Sequence, residues 1–487
     1  MTQTRSGGLD ETLEGSAAWW PGPPKGGADI LSVIPETQQI NLRFATASPP
    51  QNGKIRIYPP CYLEALHECW KNNVWAEQCL AWLETIQRDN TYDAGKVLDP
   101  EPFRWLRSRQ AEAFKLPGWK ASFLWGPPGT GKTTTLGAML AQYVIQFPTA
   151  RVLLLSTTNA AVDLALVAVD KALEKLAAHS STAAKVRQRC VRIGNHFVAS
   201  NYTGREHLLP VKDNTLIRRL AALEAQRPAI ENVQAYAVWK QQVELVRQQI
   251  RAQAVGVLKK ASLAAMTTTR AVFTFDNLCD LSPYDLLVFD EASQVGCAHA
   301  LALAPLAQHA LFAGDPKQLS PIVRSDHLLA KRWLGESMFS YMDESVDSTC
   351  LLNEQSRMAK PICDIISNVF YGGNLIVAAD CKGDSKWREE RNLVPTRRMG
   401  HKHVHLETID SEGDWSSRYH GPIRHHSAKF IHDLGVELNR HMAQTDILVL
   451  TPFRAQRALI RSFLATAGYK QVTVSTVHRA RGSERHT

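Results

Sequence analysis

The residues from Gly126 to Thr133 match the GxxxxGK[ST] spacing of a loop that wraps around phosphate groups. The match follows the apolar segment ASFLW and precedes a helical run, which is the strand–loop–helix context that such a loop requires. Glycines let backbone N–H groups approach phosphate oxygens, and the helix N-terminus adds the positive end of its dipole. Lys132 is expected to reach the β- and γ-phosphates, and Thr133 to ligate Mg²⁺. The residues predicted to contact the nucleotide here are Gly126, Pro127, Pro128, Gly129, Thr130, Gly131, Lys132, Thr133 and Thr134.

Two adjacent carboxylates, Asp290 and Glu291, end the apolar segment DLLVFDE. Hydrolysis of a phosphoanhydride needs one carboxylate in the Mg²⁺ shell and a base that accepts a proton from the attacking water. We therefore expect Asp290 to hold Mg²⁺ and Glu291 to act as the general base. The alternative is an acidic turn that merely closes a strand. A nucleotide switch would need only the first carboxylate, so the adjacent glutamate favours hydrolysis.

The elements that must position these residues are short apolar segments that alternate with helical runs from Lys120 onward. Fully apolar, β-rich segments of this kind predict a parallel sheet with helices on both faces. The predicted strands are ASFLW, RVLLLST, AVFTF, DLLVFDE and HALFAGD. A polar helical insert at about 164–263 interrupts them, and its stretch 215–260 predicts a two-helix antiparallel stalk. A second α/β stretch follows, with HVHLETI, DILVLTP and QVTVST as its strand candidates.

Composition and the N-terminal region limit the remaining possibilities. A chain of 487 residues with 44% hydrophobic content can form several cores, and its net charge of +9 favours a polyanionic partner. The 9 cysteines are scattered without a CxxC pair, which indicates reduced thiols in a cytoplasmic chain. No run reaches the ~20 apolar residues of a membrane span, so no membrane association is expected. Residues 1–27 are expected to be flexible, 28–60 to form a small antiparallel β module, and 61–103 a helical connector.

Further motifs follow one another in order along the chain. They are Gln110 in RSRQAEAF, GPPGTGKT, LLLSTTNAAVD, MTTTRAVF, DEAS, GDPKQLSP, NEQSRM, LTPFRAQ and STVHRARGSE. This series resembles the superfamily 1 helicases, in the group that contains the nonsense-mediated-decay RNA helicase and its bacterial relatives. The resemblance covers residue 104 to the end, and GDPKQLSP and TPFRAQ are quite specific to this group. It implies an α/β protein with two RecA-like lobes, 104–345 and 346–487, with the stalk inserted in the first.

The resemblance also implies ATP and Mg²⁺ as cofactors and assigns residues to the nucleotide. Gln110 matches the glutamine that contacts adenine, since its amide can both donate and accept. Gln318 matches the residue that senses the γ-phosphate or the attacking water. Arg357 matches an arginine of the second lobe that reaches across the cleft to the γ-phosphate, a role that suits a planar, permanently charged guanidinium; capping or salt-bridging a helix is the alternative. Gly482 and Glu484 match a nucleotide-facing motif near the end of the chain.

Single-stranded DNA or RNA is the partner that the resemblance implies. Small hydroxyl groups at strand ends can bind phosphates or sugars without reading the sequence of bases, and Arg454 adds charge. Taken singly, such residues are more often turn or cap residues. DNA and RNA both remain open, because contacts of this kind tolerate either. The residues predicted to contact the strand are Thr157, Thr158, Asn159, Thr267, Thr268, Thr269, Thr451, Pro452, Arg454, Ser475, Thr476 and His478.

The sequence departs from the family pattern at three places. Ser356 stands where relatives have an aromatic residue that stacks on adenine, and Arg481 stands where they have glutamine. The family also continues past Thr487 into a strand and a motif with an arginine finger, so the second lobe is expected to be incomplete. Loss of such a finger costs roughly 10³-fold or more in hydrolysis, so slow turnover is expected of this chain.

The predicted function is ATP-dependent movement along single-stranded nucleic acid with unwinding of duplexes, in the 5′-to-3′ direction that the resemblance implies. One alternative is an ATP-dependent clamp or remodeller that does not unwind and binds a partner protein through the stalk or the N-terminal β module. The other is a truncated nucleic-acid-binding chain with little turnover.

Overall fold

The computed structural model describes residues 17–20, 26–34, 39–44, 55–58, 62–194, 197, 199–210, 214–226, 228, 232–323, 325–392, 397, 400 and 402–477. A small antiparallel sheet is its first unit. Its strands, in the order β3-β2-β1-β4, are β1 (Ala17–Trp20), β2 (Gly26–Ile34), β3 (Gln39–Phe44) and β4 (Arg56–Tyr58). Antiparallel pairing was predicted, but the sheet starts at Ala17 instead of residue 28. The β-forming side chain of Trp20 is buried, so this part of the segment expected to be flexible is a strand.

Two amphipathic helices follow, α1 (Tyr62–Lys71) and α2 (Asn73–Gln87). Their apolar faces pack against the core of the next unit, and Cys79 and Trp82 are buried there. The indole N–H groups of Trp70 and Trp75 donate to the carbonyl oxygens of Ala298 and Ala302 at 3.2 and 2.9 Å. These bonds fix the predicted connector to the unit that follows it.

A seven-stranded sheet with the order β11-β5-β10-β9-β6-β8-β7 forms the centre of the protein, and all its pairs are parallel. The predicted parallel sheet is therefore confirmed. Its strands are β5 (Ala121–Trp125), β6 (Val152–Ser156), β7 (Cys190–Arg192), β8 (Leu263–Thr267), β9 (Tyr284–Asp290), β10 (Ala307–Gly314) and β11 (Thr349–Leu351). Apolar clusters cover both faces, as fully buried strands require.

Ten helices belong to this unit among the residues that the structure describes. They are α3 (Ser108–Glu112), α4 (Lys132–Gln146), α5 (Asn159–Ala177), α6 (Ser181–Arg187), α7 (Asn214–Ala225), α8 (Val233–Leu258), α9 (Thr268–Phe273), α10 (Phe275–Cys279), α11 (Cys297–Leu303) and α12 (Leu328–Gly335). Short 3₁₀ helices of this unit are 94–96, 101–103, 113–118, 199–202, 206–208, 292–294, 304–306 and 338–341, and a further one, 444–446, lies in the C-terminal part. Helices α7 and α8 pack together and form the predicted stalk.

Three details of this unit differ from the prediction. The segment AVFTF is largely helical, and the strand is instead LAAMT, which is β8. The insert is shorter than 164–263, because α5 and α6 cover the sheet and β7 pairs with β8. The sheet also continues past the predicted boundary at 345, since β11 pairs with β5. Strand β11 is short and follows a long connection, so neither its length nor its position in the chain indicates that it joins this sheet.

The C-terminal part contains smaller elements. They are β12 (Glu354–Gln355), α13 (Lys360–Phe370), β13 (Ile376–Val377), α14 (Ala379–Gly383), α15 (Ser385–Glu390), β14 (Asp414–Ser416), β15 (Gly421–Ile423), α16 (His425–Leu438), β16 (Leu448–Thr451), α17 (Arg454–Thr466) and β17 (Thr473–Thr476). Strands β16 and β17 pair in parallel, and α16 and α17 pack with them around a third core. HVHLETI forms no strand, and its alternating apolar residues Val404 and Leu406 are 46% and 90% exposed, so they do not join a core. No helix of the described residues is long and apolar enough to span a bilayer.

Candidate functional site: a nucleotide site and an adjacent row of hydroxyl groups

The predicted phosphate loop connects β5 to α4. Gly129 and Gly131 have φ values of +79° and +75°, in the left-handed region that glycine adopts without strain. At Gly126 an added Cβ would lie 2.6 Å from the Cβ of Lys132, so the loop closes tightly on the first turn of α4. Lys132 is the first residue of that helix, where backbone N–H groups have no intrahelical partner. The loop and the helix together present N–H donors to an anion.

The ammonium of Lys132 joins the two predicted carboxylates. Its Nζ lies 2.8 Å from Asp290 Oδ1 and 2.7 Å from Glu291 Oε1. Asp290 is the last residue of β9, and Glu291 follows it with φ +55°, a left-handed conformation that is uncommon for a residue other than glycine. Residues in such a strained backbone conformation cluster at functional sites. Lys132 thus forms one cluster with two residues that lie 158 and 159 positions further along the chain.

Electrostatics of the cluster keeps its charges coupled. Burial by itself lowers the pKa of Lys132, but the coulombic attraction of Asp290 and Glu291 outweighs it and leaves the pKa raised. Burial raises the pKa of Asp290, and the charge of Lys132 opposes that shift. A cation and two carboxylates in a buried setting stabilise one another only while all are present, because an unpaired buried charge is costly.

The residues of this cluster fit a Mg²⁺–nucleotide. Mg²⁺ prefers hard oxygen ligands, and the Asp290 carboxylate and the Thr133 hydroxyl group are of that kind. A polyphosphate needs N–H donors and a cation, which the turn from Gly129 to Lys132 supplies. The Glu291 carboxylate, 25% exposed, is the more accessible of the pair. The arrangement can therefore hold a nucleotide phosphate beside a carboxylate that is able to accept a proton.

Gln110 lies against the phosphate loop. Its Nε2 donates to the Thr130 carbonyl oxygen at 3.0 Å, and its Oε1 accepts from the Arg107 N–H at 3.0 Å. The side chain is buried, and Arg107 is itself fixed by an ion pair with Asp380 at 2.9 Å. The predicted adenine-contacting residue is thus next to the loop. Its contact with a base stays a prediction.

Gln318 belongs to a network that sequence reasoning missed. Its Nε2 donates to Asp315 Oδ2 at 2.8 Å, and the Tyr371 hydroxyl group donates to the same oxygen at 2.6 Å. The Trp125 indole N–H donates to Asp315 Oδ1 at 3.0 Å. Buried Asp315 therefore connects the ends of β5 and β10 to α13. The sequence signal was the acidic residue directly after the apolar segment that became β10 (Ala307–Gly314).

The predicted Arg357 is carried on a segment that contacts the phosphate loop. The Ser356 N–H donates to the Gly129 carbonyl oxygen at 3.0 Å. A Cβ added to Gly129 would lie 2.6 Å from the Cβ of Arg357, so these two backbones pass each other closely. The side chain of Arg357 thus begins beside the loop, although the residue belongs to a motif more than 220 positions away.

The residues predicted to contact a nucleic-acid strand divide between two sheets. In the large sheet, Thr158 and Thr267 cap α5 and α9, and each hydroxyl group accepts a backbone N–H bond at 3.2 and 3.1 Å. Asn159 is exposed, as is Thr158. The Thr157 hydroxyl group is buried and has no hydrogen-bond partner among the described residues. Thr268 is also buried and Thr269 is half-buried, so Thr158 and Asn159 are the accessible members of this group.

The second group lies on β16 and β17. These strands pair so that Leu450 faces Ser475 and Thr451 faces Thr476, which brings both motifs to one edge. Thr451 and Ser475 are buried, while Pro452 and Arg454 are exposed. The predicted residues His478, Gly482 and Glu484, together with Arg481, lie outside the described residues.

Comparison with known proteins agrees with this geometry. Family models described as AAA domain match residues 106–234, 221–331 and 334–487. The DNA replication ATP-dependent helicase/nuclease dna2 of Schizosaccharomyces pombe is 22% identical over 80% of this chain and 25% of its own length. DNA-binding protein SMUBP-2 of Mesocricetus auratus is 25% identical over 80% and 39%. The DNA polymerase alpha-associated DNA helicase A of Schizosaccharomyces pombe is 26% identical over 77% and 56%.

The matched regions contain both the phosphate loop and the segment with Arg357. The chain belongs to the superfamily 1 helicases. It spans between a quarter and just over half of the length of these relatives, at 25%, 39% and 56%. ATP binding and action on nucleic acid are general features of this family. The Lys132–Asp290–Glu291 cluster lies within reach of its phosphate loop.

One further group of this helicase was missed by sequence reasoning. The Arg192 guanidinium donates from Nη2 to Asn159 Oδ1 and from Nε to Asp163 Oδ1, both at 2.7 Å. The Tyr202 hydroxyl group donates to the same Asp163 oxygen at 2.6 Å. Arg192 and Asp163 are almost fully buried. The exposed Asn159 is therefore held by residues from β7 and from the segment before the stalk, which no contiguous motif could indicate.

Proposed function

We propose that this helicase couples ATP hydrolysis to movement along single-stranded nucleic acid and to duplex unwinding, in the 5′-to-3′ direction. The observation that carries the proposal is the register of β9 and β6, in which Asp290 pairs with Ser156. The nucleotide cluster and the residues Thr157 to Asn159 therefore follow adjacent parallel strands at one edge of the sheet. A cytoplasmic location stays a prediction from the scattered cysteines.

The residues of the cluster would divide the chemistry as follows. Lys132 exchanges its carboxylate partners for the β- and γ-phosphates, and Asp290 and Thr133 hold Mg²⁺. Mg²⁺ supplies charge neutralisation of the phosphate oxygens when it is bound. Glu291 then accepts the proton of the attacking water. This requires that the Lys132 ammonium has first moved away from the Glu291 carboxylate. Arg357 approaches the same phosphate from the segment that contacts Gly129.

Contact with the nucleic-acid strand would be coupled, through the large sheet, to the exchange of the Lys132 ammonium between carboxylates and phosphates. Asp290 ends β9 and Glu291 follows it, and the next strand in the sheet, β6, leads into Thr158 and Asn159. Gln318 is bonded to Asp315 at the end of β10, on the other side of β9. A rearrangement around the γ-phosphate position thus has strand neighbours on both sides that can transmit it.

Steady-state ATPase of the 487-residue chain, with and without single-stranded DNA and RNA, tests the proposal. Lys132→Ala is the blank, and it should lose ATP binding and turnover but keep its affinity for the strand. We expect stimulation by nucleic acid above this blank. ATPase that is unchanged in Lys132→Ala would refute the assignment of the site.

Strand displacement on duplexes with a 5′ or a 3′ single-stranded tail tests movement and direction. Unwinding of the 5′-tailed duplex alone supports the proposal. Stimulated ATPase without unwinding of either duplex would support an ATP-dependent clamp instead. Strand binding without turnover would support a binding chain.

A further inference from the structure

Three side chains hold the backbone around Arg357. The Gln355 Oε1 accepts from the N–H groups of Arg357 and Met358 at 2.8 and 2.7 Å, and its Nε2 donates to the Met358 carbonyl oxygen at 2.9 Å. Gln355 is completely buried. These bonds fix the turn that follows β12 from the inside of the protein.

The other side of the same turn is held by residues after α14. The Trp387 indole N–H donates to the Ser356 carbonyl oxygen at 2.6 Å. The Arg391 Nε donates to the Arg357 carbonyl oxygen at 2.7 Å. The carbonyl groups of Ser356 and Arg357 therefore each accept a hydrogen bond from a different side chain.

Trp387 and Arg391 also hold each other. The guanidinium carbon of Arg391 lies 4.4 Å from the centre of the Trp387 ring, and its Nη1 donates to the Trp387 carbonyl oxygen at 3.0 Å. The Trp387 ring packs against the core that supports the large sheet. A guanidinium stacked on a ring loses little additional freedom when it forms a hydrogen bond. The pair is thus a rigid support for the carbonyl groups of residues 356 and 357.

The supported turn meets the phosphate loop at Gly129. The Ser356 N–H donates to the Gly129 carbonyl oxygen at 3.0 Å, and Gly129 has no room for a Cβ because the Cβ of Arg357 is there. A displacement of the turn would move the start of the Arg357 side chain relative to the loop by the same amount.

We propose that Trp387 and Arg391 are positioning residues for Arg357, which set the place of its guanidinium relative to the phosphate loop. They act through the backbone of residues 356 and 357 and do not touch the nucleotide. The inference rests on the proposed function, since it gives Arg357 a role at the phosphate. A misplacement of about 1 Å in such a group can cost about 10²-fold in rate.

Two variants remove the donors but keep most of the packing. Arg391→Met retains an apolar stem over the ring, and Trp387→Phe retains an aromatic ring without the indole N–H. Each should lower kcat by roughly 10- to 100-fold with KM for ATP nearly unchanged, because binding does not depend on Arg357 in the way the transition state does. Arg388→Met, which alters an exposed arginine of α15, is the matched control and should behave like the wild type.

A double variant separates positioning from a general loss of structure. Arg357→Ala combined with Arg391→Met should be no slower than Arg357→Ala alone, since residues that act as a unit are not additive. Multiplied effects in the double variant, or a raised KM at normal kcat, would overturn the inference. Thermal unfolding of each variant verifies that the fold is retained.

Nucleotide binding tests the inference independently of turnover. We expect Arg391→Met and Trp387→Phe to bind ADP as the wild type does, but to bind ADP with aluminium fluoride at least tenfold more weakly, because that complex imitates the phosphoryl group in transfer. Equal affinities for both ligands in variant and wild type would refute the positioning role. A wild type without ATPase would count against the proposed function, while this pair of affinities would still decide the inference.

Discussion

Replacement of Glu291 by glutamine is expected to separate nucleotide binding from hydrolysis in opposite directions. The Lys132 ammonium is shared between Asp290 Oδ1 at 2.8 Å and Glu291 Oε1 at 2.7 Å. A nucleotide phosphate must compete with both carboxylates for this ammonium. Glutamine has nearly the same shape but no charge, so competition from residue 291 falls while Asp290 still holds Lys132 in the site.

The size of the two effects follows from the burial of the pair. The Glu291 side chain is 25% exposed and Lys132 is 10% exposed, so their ion pair is better shielded than a surface pair but remains in contact with solvent. We take its worth as about 1 kcal/mol, the upper end for exposed pairs, which corresponds to roughly fivefold tighter binding of ATP in Glu291→Gln. Loss of a general base lowers the rate of hydrolysis by about 10²- to 10⁴-fold.

Equilibrium titration with a fluorescent nucleotide and steady-state ATPase under the same conditions measure both quantities. Glu344→Gln, at an exposed position outside the cluster, is the control and should change neither. Hydrolysis at the wild-type rate in Glu291→Gln would place the general base elsewhere. Unchanged or weaker nucleotide binding would refute the competition between carboxylate and phosphate, even if hydrolysis were blocked.

Gly129→Ala should abolish ATP binding in a nucleotide titration, because φ is +79° and the new Cβ would lie 2.6 Å from the Cβ of Arg357; Gly256→Ala, with nothing within 4 Å, is the control. Burial lowers the pKa of His299 from 6.5 to about 4, so between these pH values the imidazole is neutral in the folded protein and protonated in the unfolded chain. Stability is therefore lost as pH falls from 6.5 towards 4, and in His299→Gln the Tm should fall less between pH 7 and pH 5. Asp170→Asn should destabilise the fold by about 3 kcal/mol in chemical denaturation, because the fully buried Asp170 carboxylate accepts from Arg187 Nε at 2.7 Å and the more exposed Glu174 carboxylate, 2.8 Å from Arg187 Nη2, would be left as the partner of that guanidinium. An unchanged denaturation midpoint would show that Glu174 suffices.

The nucleotide cluster could be predicted from sequence because each half is contiguous. The loop Gly126–Thr133 lies between a strand and a helix, and Asp290 and Glu291 end a strand. The carboxyl ends of parallel strands share one edge of a sheet, so a parallel sheet is sufficient to bring Lys132 to both carboxylates. The distances of 2.8 and 2.7 Å confirm that they meet.

What could not be predicted depends on pairing between distant segments. The segment AVFTF has the stronger β-forming composition, yet LAAMT is the strand, because it pairs with β6 on one side and with β7 on the other. Asp315 gains its importance only from Trp125 and Tyr371, which lie 190 and 56 positions away. Tertiary contacts of this kind leave no periodic signal in the chain.

The order of the strands gives a physical reason for the placement of the two groups of residues. In the sequence β11-β5-β10-β9-β6-β8-β7, the strands that lead to Lys132, Gln318 and Glu291 are neighbours, and those that lead to Thr158 and Thr267 follow without interruption. The border between them is the pair Asp290 and Ser156. Because close-packed interiors transmit strain and β9 pairs directly with β6, a change in the turn after β9 is expected to reach the turn after β6. The exchange of Lys132 between carboxylate and phosphate is therefore expected to alter the affinity for single-stranded nucleic acid first through Thr158 and Asn159. Its effect on the nucleic-acid contacts of the residues on β16 and β17 is expected to come later.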